Sequence, residues 1–160
     1  MIILGIDPGT AICGYGVVKK ENYRFRLVDY GAVNTPASMS LENRLVRIYD
    51  GITMLINKYQ PDEMAVEELF FNSNAKTAIS VGQARGVILL AGAHKHIPIY
   101  EYTPLQIKQG IVGYGRADKK QIQYMVQTML NMRETPKPDD AADALAIAIC
   151  HGQSNKNLMP

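Results

Sequence analysis

The chain has 160 residues, of which 47% are apolar and 20% are charged, and its formal net charge is +2. This balance predicts one domain with a buried core and excludes disordered, collagen-like and low-complexity chains. The longest apolar run, 86–93, is far shorter than the roughly 18 residues that span a bilayer, and the N-terminus lacks the basic segment of a secretory signal.

Cysteine usage and charge distribution also bear on function. Cys13 and Cys150 are too few for a disulfide framework and lack zinc-ligand spacing, which predicts a reducing, cytoplasmic setting.

The charges are unevenly distributed. Residues 81–137 carry eight Lys or Arg and three Asp or Glu, whereas residues 1–80 carry eight Lys or Arg and nine Asp or Glu. Solvated helix faces explain this pattern equally well, but a basic half beside clustered acids also suits a protein that binds a polyanion and metal ions.

Three strands are predicted at the start of the chain. Ile2-Ile3-Leu4-Gly5-Ile6 is typical of a strand buried on both faces, and the turn Asp7-Pro8-Gly9-Thr10 ends it. Gly14-Tyr15-Gly16-Val17-Val18 is the second predicted strand, and 25–33 is the third. The short turns between them indicate an antiparallel meander.

The hydrophobic period then alternates between helix and strand. A helix begins at Leu41 and ends before Gln60, and further helices are predicted over 75–94, 104–111, 119–132 and from about 138 to 150, with strands over 64–68 and 97–102. The last two strands each follow a helix, as in parallel crossover units. The predicted fold is α/β: a five-stranded mixed sheet with helices on both faces, forming one domain over 1–152 with a polar tail over 153–160.

Carboxylates stand near the ends of three predicted elements. Asp7 ends the first strand, where α/β sheets build sites, although an acid that simply forms the turn is an alternative. Glu67 and Glu68 end the fourth strand and point to opposite faces, so only one can join Asp7, and periodicity does not say which.

Asp139, Asp140 and Asp143 open the last predicted helix. Asp140 and Asp143 share one face, although acids are also favoured in any first helical turn. The helix is otherwise nearly apolar all round, and a buried Asp is costly unless it is paired or binds a cation.

Acids from three segments would repel one another if they met, so such a cluster needs cations. Oxygen ligands without Cys or paired His suit Mg²⁺ or Mn²⁺ rather than Zn²⁺. Two such ions, roughly 3.5–4 Å apart, would activate water and stabilise the leaving oxygen of a phosphodiester. The order of acids and elements indicates an RNase H-like nuclease.

Several short stretches, spread over residues 2–152, point to one family together. They are Gly5-Ile6-Asp7-Pro8-Gly9-Thr10, Gly14-Tyr15-Gly16, Ala65-Val66-Glu67, Gly82-Gln83-Ala84-Arg85-Gly86, Glu101-Tyr102, Ile107-Lys108-Gln109, Val112-Gly113 and Asp140-Ala141-Ala142-Asp143-Ala144-Leu145-Ala146. The chain thereby resembles the RuvC family of bacterial Holliday-junction resolvases.

The resemblance implies that Asp7, Glu67, Asp140 and Asp143 are the catalytic and metal-binding acids, with Asp139 and Glu68 as extra acids. It implies Mg²⁺, with Mn²⁺ as a substitute and two ions per site. It also implies a homodimer that cuts two like-polarity strands of a four-way DNA junction, leaving 5′-phosphate and 3′-hydroxyl ends. A two-fold dimer suits the matching symmetry of the junction. A branch-migration complex of the RuvA and RuvB type is the implied partner.

The resemblance further implies a set of DNA contacts. Phe70 stands where the family places an aromatic residue that contacts junction bases, although Phe70 or Phe71 capping the core is the alternative. Lys108 and Lys119 match lysines that bind phosphates, and the remaining expected contacts are Arg85, Arg116 and Lys120. The histidines His94, His96 and His151 are expected at helix ends or on the surface, without a catalytic role.

Three other functions stay open at this point. The Asp7 turn also resembles a phosphate loop of actin-like ATPases and sugar kinases, which need two such domains. A YqgF-type RNase H-like nuclease would act on RNA, and a junction-binding module would have lost cleavage. The glycines of the long helix, Gly82, Gly86 and Gly92, suit packing on a second helix or on the chain's own sheet.

Overall fold

The computed structural model describes residues 1–68 and 75–154. Phe70 and the rest of the predicted 70–74 loop lie outside the described residues, as does the end of the predicted tail. The elements in chain order are β1 (Ile2–Asp7), β2 (Ile12–Glu21), β3 (Arg24–Asn34), α1 (Leu41–Tyr59), β4 (Glu63–Glu67), α2 (Ala75–His94), β5 (Ile99–Tyr102), α3 (Pro104–Val112), α4 (Lys119–Met129) and α5 (Asp139–Ser154). No helix among the described residues is long and apolar enough to cross a membrane.

The five strands form one mixed sheet in the order β3-β2-β1-β4-β5. β1, β2 and β3 pair antiparallel, which confirms the predicted meander, and β4 and β5 add parallel strands beside β1. Ile6 lies opposite Val66 in the β1–β4 ladder, so Asp7 and Glu67 leave the sheet at the same edge.

Helices cover both faces of the sheet, as predicted. On one face α5 packs on the central strands with α3 and α4 around it, and the apolar cluster there includes Ile3, Ala65 and Leu145. On the other face α1 and α2 enclose a second cluster that includes Leu4, Ile6 and Val66. Strand alternation therefore sends Ala65 towards α5 and its neighbour Val66 away from it.

Element ends differ from the expected ones where tertiary contacts decide them. β2 extends to Glu21 because its pairing with β3 continues to Arg24. α4 ends at Met129, earlier than predicted, because Asn131 adopts a left-handed backbone with φ of 52°. α5 continues past Cys150 to Ser154, so two residues of the expected tail are helical.

Candidate active site

Asp7 and Glu67 form a hydrogen-bonded carboxyl pair at the shared end of β1 and β4. Burial, followed by the charges of Glu67, Asp143 and Asp140, raises the pKa of Asp7 from 3.8 to about 9. Burial also raises the pKa of Glu67, with the charge of Asp143 adding to it and the hydrogen bond from Asp7 opposing it. Two adjacent carboxyl groups of this kind hold one proton between them.

Glycines bring α5 against the sheet and so bring its acids to this pair. A Cβ atom on Gly14 would lie 2.1 Å from the backbone oxygen of Asp140, and one on Gly5 would lie 2.2 Å from that of Ala144. Only glycine permits such an approach at these two positions. The first turn of α5 thus lies beside the end of β1, and Asp140 and Asp143 join Asp7 and Glu67.

The pKa of Asp143 is also raised. Burial raises the pKa of its carboxyl group, the charge of Lys119 lowers it, and Asp140 and Asp139 raise it further. The charges of the other three predicted acids thus all act on Asp7 at one end of the sheet, although the four are far apart along the chain. Strand alternation alone does not say which of Glu67 and Glu68 points towards Asp7. In the structure, the side of β4 that faces α5 carries Ala65 and Glu67.

The side-chain positions do not yet form a ligand cage. Within 1–68 and 75–154, no three acidic, imidazole or thiol groups stand close enough to hold one metal ion. The acids engage other partners instead: Asp7 bonds Glu67, and the Asp143 carboxylate lies 3.9 Å from the Nζ of Lys119. A shared ion would require the carboxylates to turn away from these partners.

Lys119 and Lys108 border the acids. Both line a cavity of about 300 Å³ together with Glu67, Asp143 and apolar side chains of α3 and α4. Asp118 caps α4 and accepts the amide of Gln121, which holds Lys119 at the first turn. The Lys119 Nζ lies 3.2 Å from Asp139, and this hydrogen bond raises the pKa of the ammonium group.

The remaining predicted DNA contacts occupy different surroundings. Arg116 and Lys120 are exposed on either side of the α4 N-terminus. Arg85 is mostly buried on α2, where its guanidinium pairs with Glu101, so a DNA contact would require it to leave this partner. Of the two extra acids, Asp139 forms an ion pair with Lys119, and Glu68 is exposed.

The structure also bears on the predictions for His151 and for the glycines of α2. His151, predicted at a helix end or on the surface, lies in the last turn of α5 but is 0% exposed, so its burial was not anticipated. The missed signal is its helical spacing from Ala144 and Ala148, which face the sheet. Among the α2 glycines, Gly92 packs on Ile99 and Met64 of the chain's own sheet, whereas Gly86 faces open space.

The cysteines take no part in the site. Cys13 and Cys150 are buried and free. Burial raises the pKa of the Cys13 thiol to about 12, so it stays uncharged at neutral pH. Neither thiol is therefore suited to act as a nucleophile.

A five-stranded mixed sheet with acids from β1, β4 and the last helix at one edge is the arrangement of RNase H-like nucleases. The family model for crossover junction endodeoxyribonuclease RuvC matches residues 3–151. The chain therefore belongs to the RuvC family.

Individual relatives agree in sequence and in structure. The crossover junction endodeoxyribonuclease RuvC of Clostridioides difficile is 61% identical over 98% of this chain and 92% of its own. That of Halothermothrix orenii is 60% identical over 96% of this chain and 93% of its own. The structure of T. thermophilus RuvC in complex with a Holliday junction substrate superposes with a TM-score of 0.92, at 37% identity, over 96% of this chain and 94% of that chain.

Proposed function

We propose that this chain is an endonuclease that resolves four-way DNA junctions by metal-dependent hydrolysis of two like-polarity strands, leaving 5′-phosphate and 3′-hydroxyl ends. The observation that carries the proposal is the convergence of Asp7 with Glu67 and the α5 acids, two of which, Glu67 and Asp143, line one cavity with Lys108 and Lys119. The names of the relatives and the junction bound to T. thermophilus RuvC support it.

The four acids fit divalent cations. Their donor atoms are all carboxylate oxygens, and burial followed by the charges of the neighbouring acids raises the pKa of Asp7, a cost that a cation relieves. Asp7, Glu67, Asp140 and Asp143 would hold Mg²⁺, with Mn²⁺ as a substitute and two ions per site. When bound, such ions act as Lewis acids that favour attack of water on phosphorus and stabilise the leaving oxygen.

The chain's own residues bind and orient the DNA. Lys108 and Lys119 border the cavity and attract the phosphates on both sides of the cut bond, so binding weakens as salt rises. A phosphate competes with Asp139 and Asp143 for the ammonium group of Lys119. Phe70 stacks on a junction base, and the further contacts proposed are Arg85, Arg116 and Lys120.

Pairing of the two cuts requires two active sites, and we place the homodimer interface on α2. Ile79 and Leu90 are 62% and 47% exposed on one face of this helix, and Gly86 on the same face has no atom within 4 Å of its would-be Cβ. Apart from the exposed Gln83, this face is apolar, and such a helix face suits a second copy of itself. A RuvA and RuvB type complex in the cytoplasm is the proposed partner.

The test is Mg²⁺-dependent nicking of a synthetic four-way junction. Asp7→Asn removes one charge with little change in volume, so it should bind the junction as the wild type does and lose cleavage. Asp50→Asn, an exposed acid on α1, is the matched control and should keep both properties. Cleavage by Asp7→Asn at the wild-type rate would contradict the site, and preferential cleavage of structured RNA would favour a YqgF-type nuclease instead.

A further inference from the structure

A buried chain of hydrogen bonds lies on the same face of the sheet as the acids. The Nδ1 of His151 lies 2.6 Å from the hydroxyl of Tyr102, and its Nε2 lies 2.5 Å from Oε2 of Glu63. We call these three residues the buried triad. The imidazole is fully buried, and the Tyr100 ring packs on it with centroids 4.5 Å apart. A buried imidazole of this kind is stable only because both nitrogens have partners.

The triad joins three elements that all matter for the site. His151 lies on α5, which also carries Asp140 and Asp143. Glu63 begins β4, the strand that ends at Glu67. Tyr102 ends β5, lies opposite Glu67 in the ladder, and its carbonyl accepts the amide of Glu68 at 2.8 Å. One imidazole thus links the helix bearing two acids to the strand bearing a third.

The contact of α5 with the sheet combines close backbone approach with buried side chains. Ala144 and Ala148 lie directly on Gly5, and the backbone of Asp140 lies on Gly14. Leu145 packs over Gly16, and the ammonium group of Lys20 bonds the Gly152 carbonyl near the end of the helix. The buried triad, about 12 Å of axial rise from Asp143, adds directional hydrogen bonds that join α5 to β4 and β5 themselves, the two strands whose ends lie beside the acids.

We propose that the buried triad positions the catalytic acids: Glu63, His151 and Tyr102 set the axial position of α5, and thereby the separation of Asp140 and Asp143 from Asp7 and Glu67. This proposal rests on the proposed function, because the acids are catalytic only if the chain is a nuclease. These three are positioning residues, since none of them touches the cavity beside the acids. Their loss alters how well the acids share an ion while DNA binding is unchanged.

The sharpest test compares two tyrosine hydroxyls. Tyr102→Phe removes the partly buried bond to His151, and Tyr49→Phe removes an exposed bond between Tyr49 and Nδ1 of His94, which joins α1 to α2 at 2.5 Å. Both changes delete one Tyr–His hydrogen bond, but only the first touches α5. Single-turnover cleavage of a four-way junction, junction affinity without metal, and Mn²⁺ affinity without DNA are measured for each variant.

Tyr102→Phe should slow cleavage about tenfold, since small displacements of catalytic groups cost up to ~100-fold, and should weaken Mn²⁺ binding several-fold. Junction affinity should equal that of the wild type. Tyr49→Phe should leave all three values unchanged. His151→Ala should be slower still, and His151→Gln, whose amide can bond one partner, should recover part of the rate.

The outcomes separate the two proposals. Equal Mn²⁺ affinities and rates for Tyr102→Phe and the wild type would overturn the positioning role and leave the proposed function intact. Equal losses in Tyr102→Phe and Tyr49→Phe would also overturn it, because they would reflect stability alone. If the wild type binds Mn²⁺ but does not cut junctions, the proposed function fails and Mn²⁺ affinity alone decides the role of the triad.

Discussion

Asp7 and Glu67 show what the proposed metal site costs in stability while it holds no ion. The pKa of Asp7, raised to about 9, means that the folded chain keeps a proton which the unfolded chain releases near pH 4. Raising the pH through this interval therefore destabilises the folded state, because the unfolded state gains by losing the proton. Divalent cations offset this penalty when they neutralise the pair.

Exchanging one acid of the pair tests this directly. Glu67→Gln should lower junction cleavage by more than about a hundredfold, since even residues that only support a metal ligand cost ~10–100-fold. Without metal at pH 7 its melting temperature should rise, because one repelling charge is gone. Glu68→Gln is the matched control one residue away, and it should keep the wild-type rate and melting temperature. A greater loss of cleavage in Glu68→Gln would reverse the assignment.

Sequence reasoning selected the acids but not every residue around them. Asp7, Asp140 and Asp143 could be proposed because each stands at the end of an apolar element. The choice between Glu67 and Glu68 needed the sheet, since alternation is symmetric until the helix on one face is known. The helix-end position of His151 was predicted, but its burial was not, because the predicted helix ended at Cys150 whereas tertiary packing carries α5 four residues further.

At the scale of elements, the contact of α5 with β1 and β2 decides whether the acids meet. Gly5 and Gly14 face helix backbone rather than flexible side chains, so neither contact can relax by a rotamer change. The elements themselves were predictable because their hydrophobic periods are clear. Their ends were not, since β2 and α5 extend through pairing and packing that no local pattern specifies.

Gly14→Ala should separate α5 from β2. The added methyl group would meet the Asp140 carbonyl at 2.1 Å, so unfolding should become easier by about 1–3 kcal/mol and cleavage should fall by more than stability explains. Val17→Ala on the same strand is the control, since Val17 is buried on the opposite face towards α1 and α2. Denaturant unfolding and junction cleavage of both variants check this. If Gly14→Ala and Val17→Ala lost the same stability and cleaved junctions equally well, a special role for the α5 contact would be contradicted.

At the scale of the whole molecule, the proposed dimer places two acidic sites on one two-fold junction. Ile79→Asp puts a charge on the exposed α2 face, where it would be desolvated in a dimer. We expect sedimentation to show a monomer, and paired cuts to become independent nicks. Tyr23→Asp, at the exposed turn between β2 and β3, should stay dimeric. An Ile79→Asp variant that remains a dimer would move the interface elsewhere.

The central claim is that four distant acids share divalent ions at the end of β1 and β4. A crystal soaked in Mn²⁺ tests it most directly, since anomalous scattering locates the ion without assumptions about catalysis. We predict density bounded by Asp7, Glu67, Asp140 and Asp143, after the carboxylates turn away from their present partners. Mn²⁺ bound only at Asp139 or Glu68, with none between Asp7 and α5, would contradict the account.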